Sequence, residues 1–284
     1  AIFPIYYASV AADGLAGPEA TRRFSIATVI ALGIVAVMAP ILGALADRAP
    51  IKKKLLGAFL VLGVAATAAM FLIQKGDWLL ALVLFALGNI GVAGSFVFYD
   101  ALLPHLARDE ELDRVSTAGY AIGYLGGGVL LAVNVLWVLK PHWFGMSDAA
   151  EASRWSFLSV AVWWGAFAIP LFRRVPEPAI AMGRPAARSG LALARESFGM
   201  LRQTFAELSR YRQAVIFLFA FLIYNDGIGT IIRLATVYGT ELGLPQSALI
   251  TAILLVQFIG IPFSFLFGQL SARLGAKRAI YLAL

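Results

Sequence analysis

The 284-residue chain contains no cysteine, and only 14% of its residues are charged. Without cysteine there is no disulfide, no thiol nucleophile and no thiolate metal site. A charge content this low, beside 61% hydrophobic residues, does not fit a soluble domain, in which apolar residues make up roughly 45–50%. Ten-residue segments of alternating polarity, which mark membrane β-barrels, are also missing. We therefore predict an all-α integral membrane protein, because a helix is the other structure that satisfies its backbone in lipid.

Patterns for catalysis and cofactor binding are missing as well. No nucleophile and base stand at a recognised spacing and no metal-ligand cluster occurs, so we expect neither an enzyme nor a cofactor. Residues 123–128 (GYLGGG) are not a phosphate loop, since no strand precedes them and no Lys-Ser/Thr pair follows. The net charge of +7 does not indicate a nucleic-acid partner, because the basic residues lie between apolar runs. His105 and His142 are expected at the surface rather than as ligands.

Apolar runs of about 20 residues, the length that crosses a hydrocarbon core of about 30 Å, recur along the chain. The chain starts inside one run and stops just after another begins, so we expect a fragment with about eight spans, the first one partial. The predicted spans are 1–12, 25–46, 55–73, 78–99, 117–139, 155–172, 214–238 and 248–270, with a ninth starting at 279.

The spans divide the chain into three parts. Residues 1–172 are predicted to form a first transmembrane half, residues 173–212 a cytoplasmic linker, and residues 213–284 the start of a second half. Apolar residues at steps of three and four between Leu191 and Leu208 predict an amphipathic helix on the membrane surface within the linker.

The basic residues are distributed unevenly between the two sides of the membrane. Loops after even-numbered spans hold 17 Lys and Arg residues, whereas loops after odd-numbered spans hold five. The positive-inside rule therefore places the former loops, and the N-terminus, in the cytoplasm. The expected location is a bacterial inner (plasma) membrane.

A basic turn occurs twice, at residues 43–54 (GALADRAPIKKK) and 268–278 (GQLSARLGAKR). The copies lie 225 residues apart, so the repeated unit must be a bundle of several helices. The residues assigned to this candidate gating motif are Gly43, Asp47, Arg48, Lys52, Gly268, Arg273 and Lys277.

This turn resembles the signature loop of the major facilitator superfamily. Pro50 replaces the usual glycine in the first copy, and Ala272 replaces the acid in the second. Only Asp47 is therefore expected to make the gating contact that the resemblance implies. The resemblance also implies a helical bundle of two six-helix halves.

Three further runs resemble the vacuole-effluxer-like branch of that superfamily, which is related to autophagy-associated vacuolar amino-acid exporters. They are residues 98–107 (FYDALLPHLA), 116–128 (STAGYAIGYLGGG) and 224–227 (YNDG). Asp100 stands where this branch leads us to expect asparagine. The resemblance implies transport of a small polar metabolite, with amino acids first among the candidates.

Two spans carry glycines at helical spacing. The fourth span has a stripe of Gly88, Gly91 and Gly94. The fifth has glycines at 119, 123 and 127, a spacing that lets two helix backbones approach closely. This second row resembles the packing stripe of exporters in the superfamily, although it lacks their proline, and it favours efflux.

Asp226 and Arg233 lie inside the seventh span, where an unpaired charge costs several kcal/mol, about 3 on insertion scales. Asp226 is the candidate for proton coupling or for contact with a substrate amine, and Arg233 for contact with a carboxylate or phosphate. The alternative for both is a structural ion pair with other helices. A straight helix separates them by about 10 Å, and Gly227 and Gly229 are expected to break it and bring them closer.

Polar groups at membrane depth complete the predicted substrate-binding set. Interhelical hydrogen bonding accounts equally well for the amides, and packing or interface anchoring for the tyrosines. Asn134 lies nearer the outer end, where solvation is expected. The additional members of the set are Asn89, Tyr120, Tyr124, Asn225 and Gln257.

These observations predict a secondary active transporter that acts as a monomer in the lipid bilayer. Its partners would be a small-molecule substrate and, as the candidate coupling ion, protons. Two alternatives stay open, a non-transporting receptor or scaffold with the same fold and a lipid flippase.

Overall fold

The structure is a computed structural model that describes residues 2–46, 51–106, 112–177, 199, 202–203 and 206–283. These residues are almost entirely helical. Short 3-10 turns lie at Met70–Leu72, Leu103–His105 and Pro141–Phe144. The helices are α1 (Ile2–Ala11), α2 (Gly17–Ala46), α3 (Lys52–Ala69), α4 (Trp78–Asp100), α5 (Leu112–Leu139), α6 (Ala149–Arg174), α7 (Arg212–Glu241), α8 (Gln246–Leu274) and α9 (Ala276–Ala283).

Among the described residues, seven helices are long and apolar enough to cross a membrane, and α1 is a shorter apolar helix. Together they match the eight predicted spans, and the predicted all-α membrane fold is confirmed. The membrane-crossing segments are Gly17–Gly43, Lys52–Leu72, Trp78–Asp100, Ala118–Leu139, Ala149–Arg174, Arg212–Ile232 and Ser247–Phe267. The predicted amphipathic helix between Leu191 and Leu208 falls mostly outside the described residues.

Helix α2 begins at Gly17, well before the predicted second span. Pro18 fits the first turn of a helix, where its missing N–H has no partner to lose. Glu19 also lies in this turn, where the helix dipole favours a negative charge. Arg22 and Arg23 approach the Glu19 carboxylate to 2.8 and 2.6 Å. The prediction from hydropathy began the span at residue 25 and so left out this polar first turn.

Helix α1 ends in a π-helical segment, Tyr7–Ala11, that is anchored by two buried tyrosines. The Tyr6 hydroxyl donates a hydrogen bond to the Ile73 carbonyl at 2.8 Å, and the Tyr7 hydroxyl donates to the Ala20 carbonyl at 3.2 Å. Buried Tyr hydroxyls need such partners. These bonds hold the end of α1 against the end of α3 and the start of α2.

The largest buried cluster surrounds this end of α1. The Phe3 ring stacks on the Phe85 ring of α4 with centroids 4.8 Å apart. The Phe24 ring of α2 also lies 4.8 Å from the Phe85 ring. Phe157 of α6 packs on Phe3 at 5.8 Å. We call this end of the bundle the outer end, following the orientation predicted from the basic residues.

The glycine stripe of α4 faces α3. A methyl group added to Gly91 would overlap the backbone of Gly63, and one added to Gly94 would overlap the ring of Phe59. The two backbones therefore cross in close contact at Gly63 and Gly91, which only glycine permits.

The glycine row of α5 does not behave as predicted. In the described part of the chain, methyl groups added to Gly123 or Gly127 would meet no atom within 4 Å, and one added to Gly119 would approach only the Tyr99 hydroxyl, at 3.9 Å. The expected close approach of a second helix along this row is therefore wrong here. Spacing alone does not reveal which neighbour a glycine row faces.

Candidate functional site

Helices α1–α6 meet α7 and α8 along a seam, defined by the contacts of α5 with α8 and of α1 and α2 with α7. Its outer end is closed. Val237 of α7 and Ile250 of α8 are 1% and 2% exposed and belong to the same buried cluster as the aromatic rings of α1 and α2. The Thr21 hydroxyl of α2 also donates to the Glu241 carboxylate of α7 at 2.9 Å.

Tyr124 lies at the middle of the seam. A methyl group added to Gly260 of α8 would come 3.5 Å from Tyr124 Cε1, so the ring rests against the α8 backbone. Tyr120 is one turn earlier on the same face of α5, and 60% of its surface is exposed. The predicted tyrosines therefore share the face of α5 that meets α8, and Tyr124 packs there.

Asp226 and Asn225 lie within an unbroken α7, and both side chains are exposed. Gly227 and Gly229 do not interrupt this helix, so the expected approach of Asp226 to Arg233 does not occur. With a rise of 1.5 Å per residue, the two lie about 10 Å apart along the axis. The side chain of Arg233 is outside the described part of the structure.

The predicted amides behave differently from one another. Asn89 is half-buried, and its Nδ2 donates to the Phe85 carbonyl of its own helix at 2.8 Å, rather than to a second helix. Gln257 lies on α8, and its side chain is not among those described. Asn134 was expected to be solvated, but it is 2% exposed and its Oδ1 lies 2.9 Å from the Ser159 hydroxyl of α6. That expectation was wrong because α6 covers this end of α5.

The first basic turn is joined to the end of α6. Lys53 Nζ donates to the carbonyls of Phe172 and Val175 at 3.0 and 2.5 Å. Its backbone N–H donates to the Glu177 carboxylate, with the nearer oxygen at 3.1 Å. The last carbonyls and first N–H groups of a helix lack partners within the helix. Lys53 therefore caps α6 while Glu177 caps α3, and we call this pair the reciprocal cap.

Neither residue of the reciprocal cap was in the predicted site. The sequence did contain a signal for it. Lys53 stands just before the third predicted span and Glu177 just after the sixth, and the count of basic residues places these two span ends on the same side of the membrane. A lysine near a helix C-terminus and a carboxylate near an N-terminus are also the charges that the two dipoles favour.

The other motif residues are placed by the structure as follows. Gly43 lies near the end of α2, and a methyl group there would meet nothing within 4 Å. Asp47 and Arg48 lie outside the described residues, so the gating contact expected of Asp47 stays a prediction. Lys52 begins α3, Gly268 and Arg273 lie on α8, and Lys277 is exposed on α9.

The second copy of the turn contains a glycine in a left-handed backbone conformation. Gly275, between α8 and α9, has φ of 81°, a left-handed conformation that suits glycine after a helix. The residue aligned with it in the first copy is Pro50, and proline holds φ near −65°. Proline cannot adopt the φ of Gly275, and Ala272 stands where the first copy has Asp47, so the two copies share their basic residues but not every feature of the motif.

We expect Glu177→Ala to destabilise the protein by about 1 kcal/mol, as does loss of a helix N-cap. Thermal unfolding of the full-length protein in detergent, followed by tryptophan fluorescence, measures this change. The matched control is Glu207→Ala, which changes an exposed glutamate just before α7. An equal loss of stability in both variants would show that Glu177 does not act as a cap.

The chain is similar to one protein family and to several individual proteins of related description. The family described as Vacuole effluxer Atg22 like matches residues 23–284. An uncharacterized MFS-type transporter of Bacillus subtilis, YxiO, is 34% identical over 287 residues, which cover 100% of this chain and 65% of YxiO. Autophagy-related protein 22-1 of Aspergillus niger is 29% identical over 173 residues, covering 59% of this chain and 27% of that protein. Autophagy-related protein 22 of Pyricularia oryzae is 23% identical, covering 82% of this chain and 43% of that protein.

These relatives are longer than the chain. It spans just under two thirds of the bacterial relative and less than half of the two fungal ones. No solved structure matches it.

Proposed function

This chain belongs to the Atg22-like vacuole effluxer family, a branch of the major facilitator superfamily, and we propose that it is part of a secondary active transporter that works by alternating access. The observation that carries this proposal is the seam. Two sets of helices meet along it, and they are joined at the outer end by Thr21, Glu241 and a shared apolar cluster. In alternating access, one such set rocks against the other around a site near the membrane midplane.

The proposed site lies on the faces of α5, α7 and α8 below this closed end. Tyr120 and Tyr124 share the face of α5 that meets α8, and α7 carries the polar pair Asn225 and Asp226 on exposed surface. Asp226 would bind a proton or a substrate amine. Arg233, about two helical turns closer to the outer end, would bind a carboxylate.

A site with one carboxylate and one guanidinium suits a small zwitterion, which carries an amine and a carboxylate. Amino acids are therefore the proposed substrates. Efflux is the proposed direction, in keeping with the effluxer in the family description. We further propose that residues 1–172 form the first half, 173–212 a cytoplasmic linker and 213–284 the start of the second half. The N-terminal side would face the cytoplasm of a bacterial cell, across its inner membrane.

The test is transport by the full-length protein in proteoliposomes loaded with a panel of labelled amino acids. We expect at least one amino acid to leave faster than from protein-free liposomes, and a proton gradient to change its rate. Absence of flux across the panel would remove the substrate assignment. If fluorescent lipids crossed the bilayer instead, the protein would be a flippase.

A further inference from the structure

The reciprocal cap brings two basic helix ends together at one membrane surface. Residues 52–54 are three lysines that begin α3, and Arg173 and Arg174 end α6. The bonds of Lys53 to the last turn of α6 place these segments side by side. A methyl group added to Gly57 would come 3.4 Å from the Phe172 ring, so the next turn of α3 also packs on α6. We call residues 52–54, Arg173 and Arg174 the basic patch.

The basic patch lies at the level of lipid headgroups. The membrane-crossing segments of these two helices are Lys52–Leu72 and Ala149–Arg174, so the patch occupies their common end. Farther along the same helices, Val61 and Phe167 expose apolar side chains, 64% and 66% of their surface respectively. A charged rim above an apolar surface matches the chemistry of a phospholipid.

The exposed charges of these two turns are all positive. Lys54, Arg173 and Arg174 are exposed, whereas the ammonium of Lys53 is held by α6 carbonyls. Glu177 is half-buried, and its carboxylate accepts the Lys53 N–H. The acid that joins the two helices is thus engaged within the contact, while the two arginines are exposed.

We propose that the basic patch binds the phosphate of an anionic phospholipid. A guanidinium donates two parallel hydrogen bonds to a phosphate, and a lysine ammonium adds a compact positive charge. Basic pockets between membrane helices bind anionic headgroups in this way. A lipid is favoured over free phosphate because the patch lies in the plane where headgroups are concentrated and beside surface suited to acyl chains.

The test is a titration of the full-length protein in detergent with phosphatidylglycerol, phosphatidylcholine and inorganic phosphate, read as thermal stabilisation. We expect phosphatidylglycerol to stabilise at the lowest concentration. Each basic residue near an anionic surface contributes about a fivefold effect, so Arg173→Gln/Arg174→Gln should raise the half-saturating concentration about 25-fold. Arg173→Lys/Arg174→Lys, which keeps the charge, should restore most of the response.

The matched control is Lys75→Gln/Lys140→Gln, which removes two exposed charges from the opposite end of the bundle and should leave the response unchanged. If Arg173→Gln/Arg174→Gln does not fold, Lys54→Gln should still shift the concentration about fivefold. An equal shift in the control pair would overturn the proposal. So would equal stabilisation by phosphatidylcholine, and stabilisation by inorganic phosphate alone would assign the patch to a free anion instead.

Discussion

Asp226→Asn in the full-length protein is expected to reduce amino-acid flux to the level of protein-free liposomes. Asparagine keeps the size of the side chain but removes both its negative charge and its ability to bind a proton. A carboxylate within a membrane span is costly unless it is paired or functional. In the described structure Asp226 lies exposed on α7, one of the two helices that form one side of the seam. Flux at several pH values, with and without a proton gradient, measures the effect.

Two further variants distinguish a transport role from general damage. Asp226→Glu retains the carboxylate and should keep a substantial part of the flux. Asp13→Asn removes an exposed acid from a loop, where it lies 3.5 Å from Lys75, and should transport as the wild type does. If Asp226→Asn transports at the wild-type rate with the same pH dependence, the aspartate is structural and the proposed coupling site is wrong.

Gly91→Ala is expected to cause the largest loss of stability, about 1–3 kcal/mol, as for other overpacked positions. Its added methyl group would overlap the backbone of Gly63, and backbone cannot move aside as a flexible side chain can. The α3–α4 crossing would have to open, which would disturb the Phe59 and Gly94 contact one turn away. Thermal unfolding in detergent measures the loss.

Gly127→Ala on α5 is the matched control, because the same change there meets no atom within 4 Å in the described structure. Alanine also favours a helix by about 0.5–1 kcal/mol over glycine. We therefore expect this variant to be as stable as the wild type or slightly more so. Equal destabilisation of the two variants would contradict the assignment of the α4 stripe as the packing surface.

The sequence predicted the helices well because a membrane imposes a length on them. Apolar runs of about 20 residues have few alternatives to a spanning helix, and each predicted span coincides with a helix. The branch predicted from residues 98–107, 116–128 and 224–227 is likewise confirmed by the family match. The early start of α2 was missed because Glu19, Arg22 and Arg23 lower its hydropathy while stabilising it as a helix.

Contacts between distant residues were harder to predict. Lys53 and Glu177 are 124 residues apart, and counting basic residues by side did not show that the lysine meets an acid. Asn134 and Ser159 are 25 residues apart, and nothing in either span shows that the two side chains face each other. The two glycine rows have similar spacing, yet only the α4 row packs on a helix, because the neighbour of each row is set by the tertiary arrangement.

The outer end of the seam is expected to open and close during transport. Thr21 and Glu241 meet there at 2.9 Å, and a methyl group added to Gly17 would lie 3.9 Å from Glu241 Cγ. The absence of cysteine from the 284 residues makes a cross-linking pair simple to introduce. A short, reducible thiol cross-linker could then hold α2 and α7 together.

The decisive measurement is amino-acid flux through full-length Thr21→Cys/Glu241→Cys in proteoliposomes, before cross-linking, after cross-linking and after reduction. We expect cross-linking to stop flux, reduction to restore it, and the same reagent to leave each single-cysteine variant active. Undiminished flux through the fully cross-linked protein would contradict alternating access at this seam.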